Sequence, residues 1–131
     1  MLPCMKRQII STENAPSSPL YSQGIRVGSA IYVSGMVGID PSTGAPSRSS
    51  IQDQTTQALR NCEAVLQAGG GTVGDIALVT VLLTRPGDFA VMNEAYAEFF
   101  GDAPPARAVA RLGPTLEGIL VSIMMTAHVD D

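Results

Sequence analysis

The segment 119–129 constrains the fold more than any other part of the chain. Ile119, Val121, Ile123, Met125, Ala127 and Val129 alternate with Leu120, Ser122, Met124, Thr126 and His128, and a period of two is that of a β-strand. The first set is wholly apolar and must meet a layer of helices. The second is too apolar for open water and too polar for a core. A subunit interface with a cleft in it satisfies both conditions.

Composition points the same way. Charged residues make up 15% of the 131-residue chain and apolar residues 45%, against roughly 25% charged in average soluble domains. The length fits one domain, residues 1–131, and a domain this small exposes a large share of its surface. With few charges to cover that surface, part of it is expected to be buried in a homo-oligomer. No apolar run reaches the ~20 residues that span a bilayer, so no membrane association is expected. Residues 1–10 carry Lys6 and Arg7 with no apolar core behind them, unlike a secretory signal. A soluble, cytoplasmic protein is the expectation.

Upstream, residues 13–23 hold two prolines and small polar side chains and read as an ordered loop. Residues 28–39 alternate as strands do, Ile31 and Val33 against Tyr32 and Ser34, with Gly35 and Gly38 marking a bend or bulge. Asp40-Pro41-Ser42-Thr43-Gly44 has turn composition and suggests a hairpin. From Ser50 the period lengthens: Ile51, Thr55, Ala58, Leu59, Cys62, Val65, Leu66 and Gly69 share one helical face. Ser50 and Asp53 form an imperfect capping pair, and Gly69-Gly70-Gly71 stops the helix. Residues 76–84 are a β-branched, largely apolar run, expected to be a central strand covered on both faces. Pro86-Gly87-Asp88 opens a second helix, whose stripe of Phe89, Met92, Tyr96, Phe99 and Phe100 is expected to be core rather than a ligand site. Pro104 and Pro105 block its continuation, and residues 106–112 and 119–129 close the chain as strands. The order β-β-α-β-α-β-β gives an α+β domain with both helices on one face of a mixed sheet.

Residue supply excludes several chemistries. Cys4, near the terminus, and Cys62, in the helical apolar pattern, are too few for a disulfide framework. One histidine and two scattered cysteines do not build a zinc site of the His/Cys kind, and a catalytic triad would have to use His128 near the end. A net charge of −4 with a single lysine offers no phosphate-tracking surface, so no nucleic acid partner is expected. Gly69-Gly70-Gly71-Thr72-Val73-Gly74 matches a G-x-G-x-x-G string. A helix precedes it and a strand follows, the reverse of the dinucleotide arrangement, so it reads as a helix stop.

Pro104-Pro105-Ala106-Arg107 is a better candidate for chemistry. It sets a guanidinium at the start of an otherwise apolar strand, after a rigid turn, where it can take a carboxylate in two-pronged fashion. Residue pattern alone slightly favours a surface arginine paired with an acidic neighbour.

Asn93-Glu94-Ala95-Tyr96-Ala97-Glu98-Phe99-Phe100 followed by Pro105-Ala106-Arg107 resembles the RidA/YjgF/UK114 family of reactive-intermediate deaminases, also labelled L-PSP endoribonucleases. So do Ser11-Thr12-Glu13-Asn14-Ala15-Pro16, Tyr21-Ser22-Gln23-Gly24, Val33-Ser34-Gly35, Ala68-Gly69-Gly70 and Val73-Gly74-Asp75-Ile76, in order, over residues 8–129. Residues 93–100 and Thr126-Ala127-His128 are most similar to the branch acting on aminoacrylate in pyrimidine breakdown. The resemblance implies a chorismate-mutase-like fold, a homotrimer with clefts between subunits, and hydrolysis of 2-imino or enamino acids to 2-keto acids and ammonia. It implies no metal and no organic cofactor. The implied partner is a small carboxylate-bearing imine, enamine or keto acid. By position, Arg107 matches the carboxylate-holding arginine, Tyr21, Ser34 and Gly35 match cleft residues, and Asn93 matches a helix asparagine near the site. Val109 matches a strand position that meets the ligand through its main chain. The family's nuclease label would need a basic groove and acid/base groups that this chain lacks.

One position departs from the family pattern. The glutamate that positions the attacking water lies fifteen residues after the arginine, and here that position is Ser122; a second common glutamate is Met124. Serine can hold a water but cannot take its proton at neutral pH, and general-base catalysis is typically worth roughly 10²–10⁴-fold. Glu117 and His128 are possible substitutes, although His128 lies roughly 20 Å along the strand from Ser122 at ~3.3 Å per residue. Two functions follow from this: an imine hydrolase using Arg107 and Ser122, or a small-carboxylate-binding or holdase member without turnover.

Overall fold

The chain runs β1 (Gln8–Ile10), β2 (Gly24–Val27), β3 (Ala30–Val37), β4 (Ile39–Asp40), β5 (Ala45–Pro46), α1 (Ile51–Ala68), β6 (Ile76–Leu83), α2 (Phe89–Phe100), β7 (Ala106–Arg111) and β8 (Val121–His128), in a computed structural model describing residues 6–130. Six strands pair in the order β1-β2-β3-β8-β6-β7, with β6 and β7 parallel and the other pairs antiparallel. α1 lies across β3 and β8, and α2 packs against α1. The architecture is thus the expected α+β one, a mixed sheet with its helices on one face.

The alternation in β8 produces this layering. Val121, Ile123, Met125 and Ala127 are buried with Val79 and Val81 of β6 and with Leu59, Cys62 and Leu66 of α1. On the other face Tyr32, Leu78 and Met124 are each nearly half exposed. α1 starts where Ser50 Oγ accepts from the Asp53 N–H at 3.1 Å. It stops at the glycine run: Gly70 takes φ +93°, and the Gly71 N–H returns to Leu66 O at 2.8 Å, a closure that favours glycine. The expected bulge also forms. Val33 faces Met125 while Met36 faces Ile123, so the extra residue at Ser34-Gly35 lets Val33 and Met36 both enter the core.

Several expectations are corrected. β6 is penultimate in the sheet, not central, and is covered on one face. An apolar run cannot distinguish a face covered by helices from one left open in the single chain. β1 and β2 were absent from the expected order, because strands this short carry too little periodicity. The Asp40 turn does make a hairpin, but β4 and β5 form a ladder separate from the main sheet. The last two strands are shorter than expected, ending at Arg111 and starting at Val121. Cys4 lies outside the described residues, among which no helix is long and apolar enough to cross a membrane.

Candidate active site

Strand β7 forms one edge of the sheet. Arg107 is level with Val79 of β6, which is buried on the helix side, so the Arg107 side chain leaves the sheet toward α2. There its Nη1 donates to Asn93 Oδ1 at 2.8 Å. The guanidinium carbon stands 4.7 Å from the centroid of the Tyr96 ring and 5.9 Å from that of Phe89, within cation–π range of both. Phe89, Asn93 and Tyr96 are four and three residues apart, hence on one face of α2. The aromatic stripe is therefore not simply core: Met92 is fully buried, but Phe89 is 46% exposed and shares the arginine with Tyr96. The surface ion pair that residue pattern favoured is not formed among the described residues. An amide oxygen orients the guanidinium without neutralising it, and the remaining donors stay available to an anion.

The main chain beside Arg107 also has a defined direction. The Leu112 N–H donates to Leu83 O at 2.8 Å. In a parallel ladder alternate residues face the partner strand, so Ala108 and Ala110 bond inward. Val109 then points its N–H and C=O to the outer edge.

The remaining expected residues gather elsewhere. Ser122 is level with Leu82 of β6 and Val37 of β3, the parity opposite to Val79 and Val81, and lies on the helix-free face. It is nonetheless 9% exposed, because the β3 bulge covers it: a Cβ on Gly35 would come within 2.9 Å of Ser122 Oγ. Ser34 in the same bulge donates from Oγ to Ser22 O, and its N–H donates to Gln23 O at 2.9 Å. Tyr21, half exposed, precedes Ser22 and bridges back to Ser18. Tyr21, Ser34, Gly35 and Ser122 thus form one group, Asn93, Arg107 and Val109 a second, and the sheet separates them. His128 is level with Ala30 at the far end of β8, and Glu117 is exposed on the turn before β8.

Two buried glutamines that hold these groups went unnoticed in the sequence. Gln23 accepts from the Thr12 N–H at 2.7 Å and donates to Thr12 O, Ala15 O and Pro16 O, fixing the loop before Tyr21. Gln54 donates to Arg48 O and Gly118 O and accepts from the Leu120 N–H, each at 2.8 Å, fixing the approach to β8 and Ser122. Gln54 had a signal, since it sits three residues after Ile51 and four before Ala58 on the core face of α1. Gln23, in an irregular segment, had none. Burial raises the pKa of the Tyr96 phenol, with Arg107 opposing, and burial also pushes up that of the Cys62 thiol.

A family model described as Endoribonuclease L-PSP matches residues 12–129. The chain belongs to this family. It is the RidA/YjgF/UK114 family that residues 93–100 and 105–107 resemble. Among similar L-PSP-family proteins, a RutC family protein of Pyrococcus horikoshii is 41% identical over 124 residues, covering 93% of this chain and 98% of the relative. The mouse 2-iminobutanoate/2-iminopropanoate deaminase is 37% identical over 118 residues, covering 89% and 87% respectively. The crystal structure of E. coli TdcF with bound serine superimposes with a TM-score of 0.88 at 33% identity, covering 94% of this chain and 99% of that one. The proteins similar to this chain thus include one named as an imine deaminase and one solved with serine bound.

Proposed function

We propose that this chain hydrolyses small 2-imino and enamino acids of the 2-aminoacrylate/2-iminopropanoate kind to 2-keto acids and ammonia. The site would lie at clefts between copies in a cytoplasmic homotrimer. The observation that carries the reading is the Arg107 guanidinium, held over Tyr96 and oriented by Asn93, with no carboxylate paired to it among the described residues. The second support is the exposed apolar half of the sheet, which a second copy would cover. Because the two groups of candidate residues lie on opposite faces of one sheet, a cleft using both takes them from neighbouring copies.

In this reading Arg107 grips the substrate carboxylate with two N–H donors, and the outward main chain of Val109 lines the bound molecule. Asn93 orients the guanidinium. Tyr21, Ser34 and Gly35 wall the cleft from the neighbouring copy. An enamine first takes a proton from solvent at its terminal carbon and becomes the protonated imine. A water hydrogen-bonded to Ser122 adds to the imine carbon as the C=N pair moves to nitrogen. The water's proton passes through solvent to that nitrogen, since serine does not accept it. The carbinolamine then collapses: its hydroxyl releases a proton to solvent, the C–N bond breaks, ammonia leaves and the carbonyl forms. Orientation supplies the acceleration. The residues bind and orient, and solvent supplies the water and carries the protons.

The test generates 2-aminoacrylate with an amino-acid dehydratase and follows keto-acid release. Release faster than buffer, lost in Arg107→Ala, is expected. No acceleration, or an equally fast variant, defeats the reading. Ser122 in the glutamate position favours a second reading, a small-carboxylate-binding or holdase protein without turnover. Calorimetric binding of 2-ketobutyrate without imine hydrolysis would select it.

A further inference from the structure

A cavity of about 260 Å³ adjoins the Arg107 anchor, lined by Leu83, Pro86, Phe89, Val109, Ala110 and Arg111. It lies at the C-terminal end of the parallel pair β6–β7, where the chain leaves β6 for α2. Two of its walls belong to the anchor as well. Phe89 sets its ring 5.9 Å from the Arg107 guanidinium carbon and also lines the cavity. Val109 follows Arg107 by two residues on the same face and offers its outward main chain. Leu83 is buried, whereas Phe89 and Arg111 at the rim are exposed. Apart from Arg111 the lining side chains are hydrocarbon.

We propose that this cavity takes the side chain of the substrate and selects 2-imino acids with a branched aliphatic side chain over the three-carbon imine. The inference rests on the carboxylate-binding role given to Arg107 above. With the carboxylate on the guanidinium, the reacting carbon comes next and the side chain continues along β7 past Val109. Alternate residues of a strand stand roughly 6–7 Å apart, the length of a five-carbon acid. A hydrocarbon wall there rewards added carbons at about fourfold in affinity for each buried methylene.

The test compares 4-methyl-2-oxopentanoate with pyruvate by calorimetry on the purified protein, so it needs no turnover. The larger keto acid is expected to bind at least tenfold more tightly. Phe89→Trp, at an exposed position, keeps an aromatic face for Arg107 but narrows the cavity. It is expected to bring the two affinities to within about twofold of each other. Equal affinities in the parent, a ratio that Phe89→Trp leaves unchanged, or tighter binding of 2-oxoglutarate than of the branched acid would each overturn the pocket. The imine assay separates the two levels. Preference for the branched keto acid without imine hydrolysis defeats the deaminase reading and keeps the pocket. Equal hydrolysis of both imines with equal keto-acid affinities defeats the pocket and keeps the deaminase. Binding of neither keto acid defeats the pocket, and the imine assay alone then decides the deaminase reading.

Discussion

Arg107 and Ser122 stand on opposite faces of one sheet, Arg107 level with the buried Val79 and Ser122 level with Leu82 on the helix-free side. A site using both is then assembled from two copies, and complementation tests this. Arg107→Ala and Ser122→Leu are each expected to lose most activity. Coexpressed and randomly assorted, they restore intact sites at roughly a quarter of the parental number. A mixture no more active than the average of the two variants places both residues in one copy's site.

Replacing Arg107 by lysine keeps the charge but removes the planar fork. We expect kcat/KM to fall about 10- to 100-fold, with stability within ~0.5 kcal/mol of the parent, because the side chain is exposed on an edge strand. Steady-state kinetics and urea denaturation on the same preparation measure the two effects. A large stability loss would recast Arg107 as a structural residue.

Gly35 and Ser122 are tied by space: a Cβ at 35 would lie 2.9 Å from Ser122 Oγ. Gly35→Ala is expected to cost about 1 kcal/mol. In a Ser122→Ala background, which removes that oxygen, most of the cost should disappear. A double-mutant cycle by chemical denaturation measures the coupling, and additive effects would show that the bulge relaxes without Ser122.

Ser122→Glu puts a carboxylate, a group able to act as general base, at the position of Ser122. Its expected effect is a rise in kcat of at least about tenfold, near the lower end of the usual range for such groups. The pH profile should gain a rising limb in the carboxylate range. An unchanged rate and profile would mean that water is positioned by some other group.

The Tyr96 hydroxyl is buried without a hydrogen-bond partner among the described residues, and burial raises its pKa. The fold therefore favours the neutral phenol. That contribution is complete below the ordinary phenol range and is lost as pH rises through the raised value. Tyr96→Phe keeps a ring beneath Arg107 and sheds the unpaired hydroxyl, so it should be neutral or stabilising by up to about 1 kcal/mol near pH 7. It should also flatten the alkaline loss of stability. Denaturation midpoints from about pH 8 to about pH 11 show whether it does.

The alternation of residues 119–129, the cap at Ser50 and the glycine stop after α1 are decided within a turn or two of chain, so the sequence by itself determined these elements and the layer they build. It also singled out the candidate site residues, because the blocks that carry the family resemblance are local strings, but not their division into two groups. What sits next to what across the sheet was a different matter. The pairing of Arg107 with Asn93 and Tyr96 depends on β7 lying beside β6 and beneath α2. The sealing of Ser122 by Gly35 depends on a bulge whose partner strand comes more than eighty residues later. The clamps of Gln23 and Gln54 reach across loops with no period to read. Hydrophobic period is a one-dimensional signal and fixes the face a residue takes. Which neighbour it meets on that face, and the separation of Arg107 from Ser122, are set by strand order and register, and these exist only once distant segments have packed.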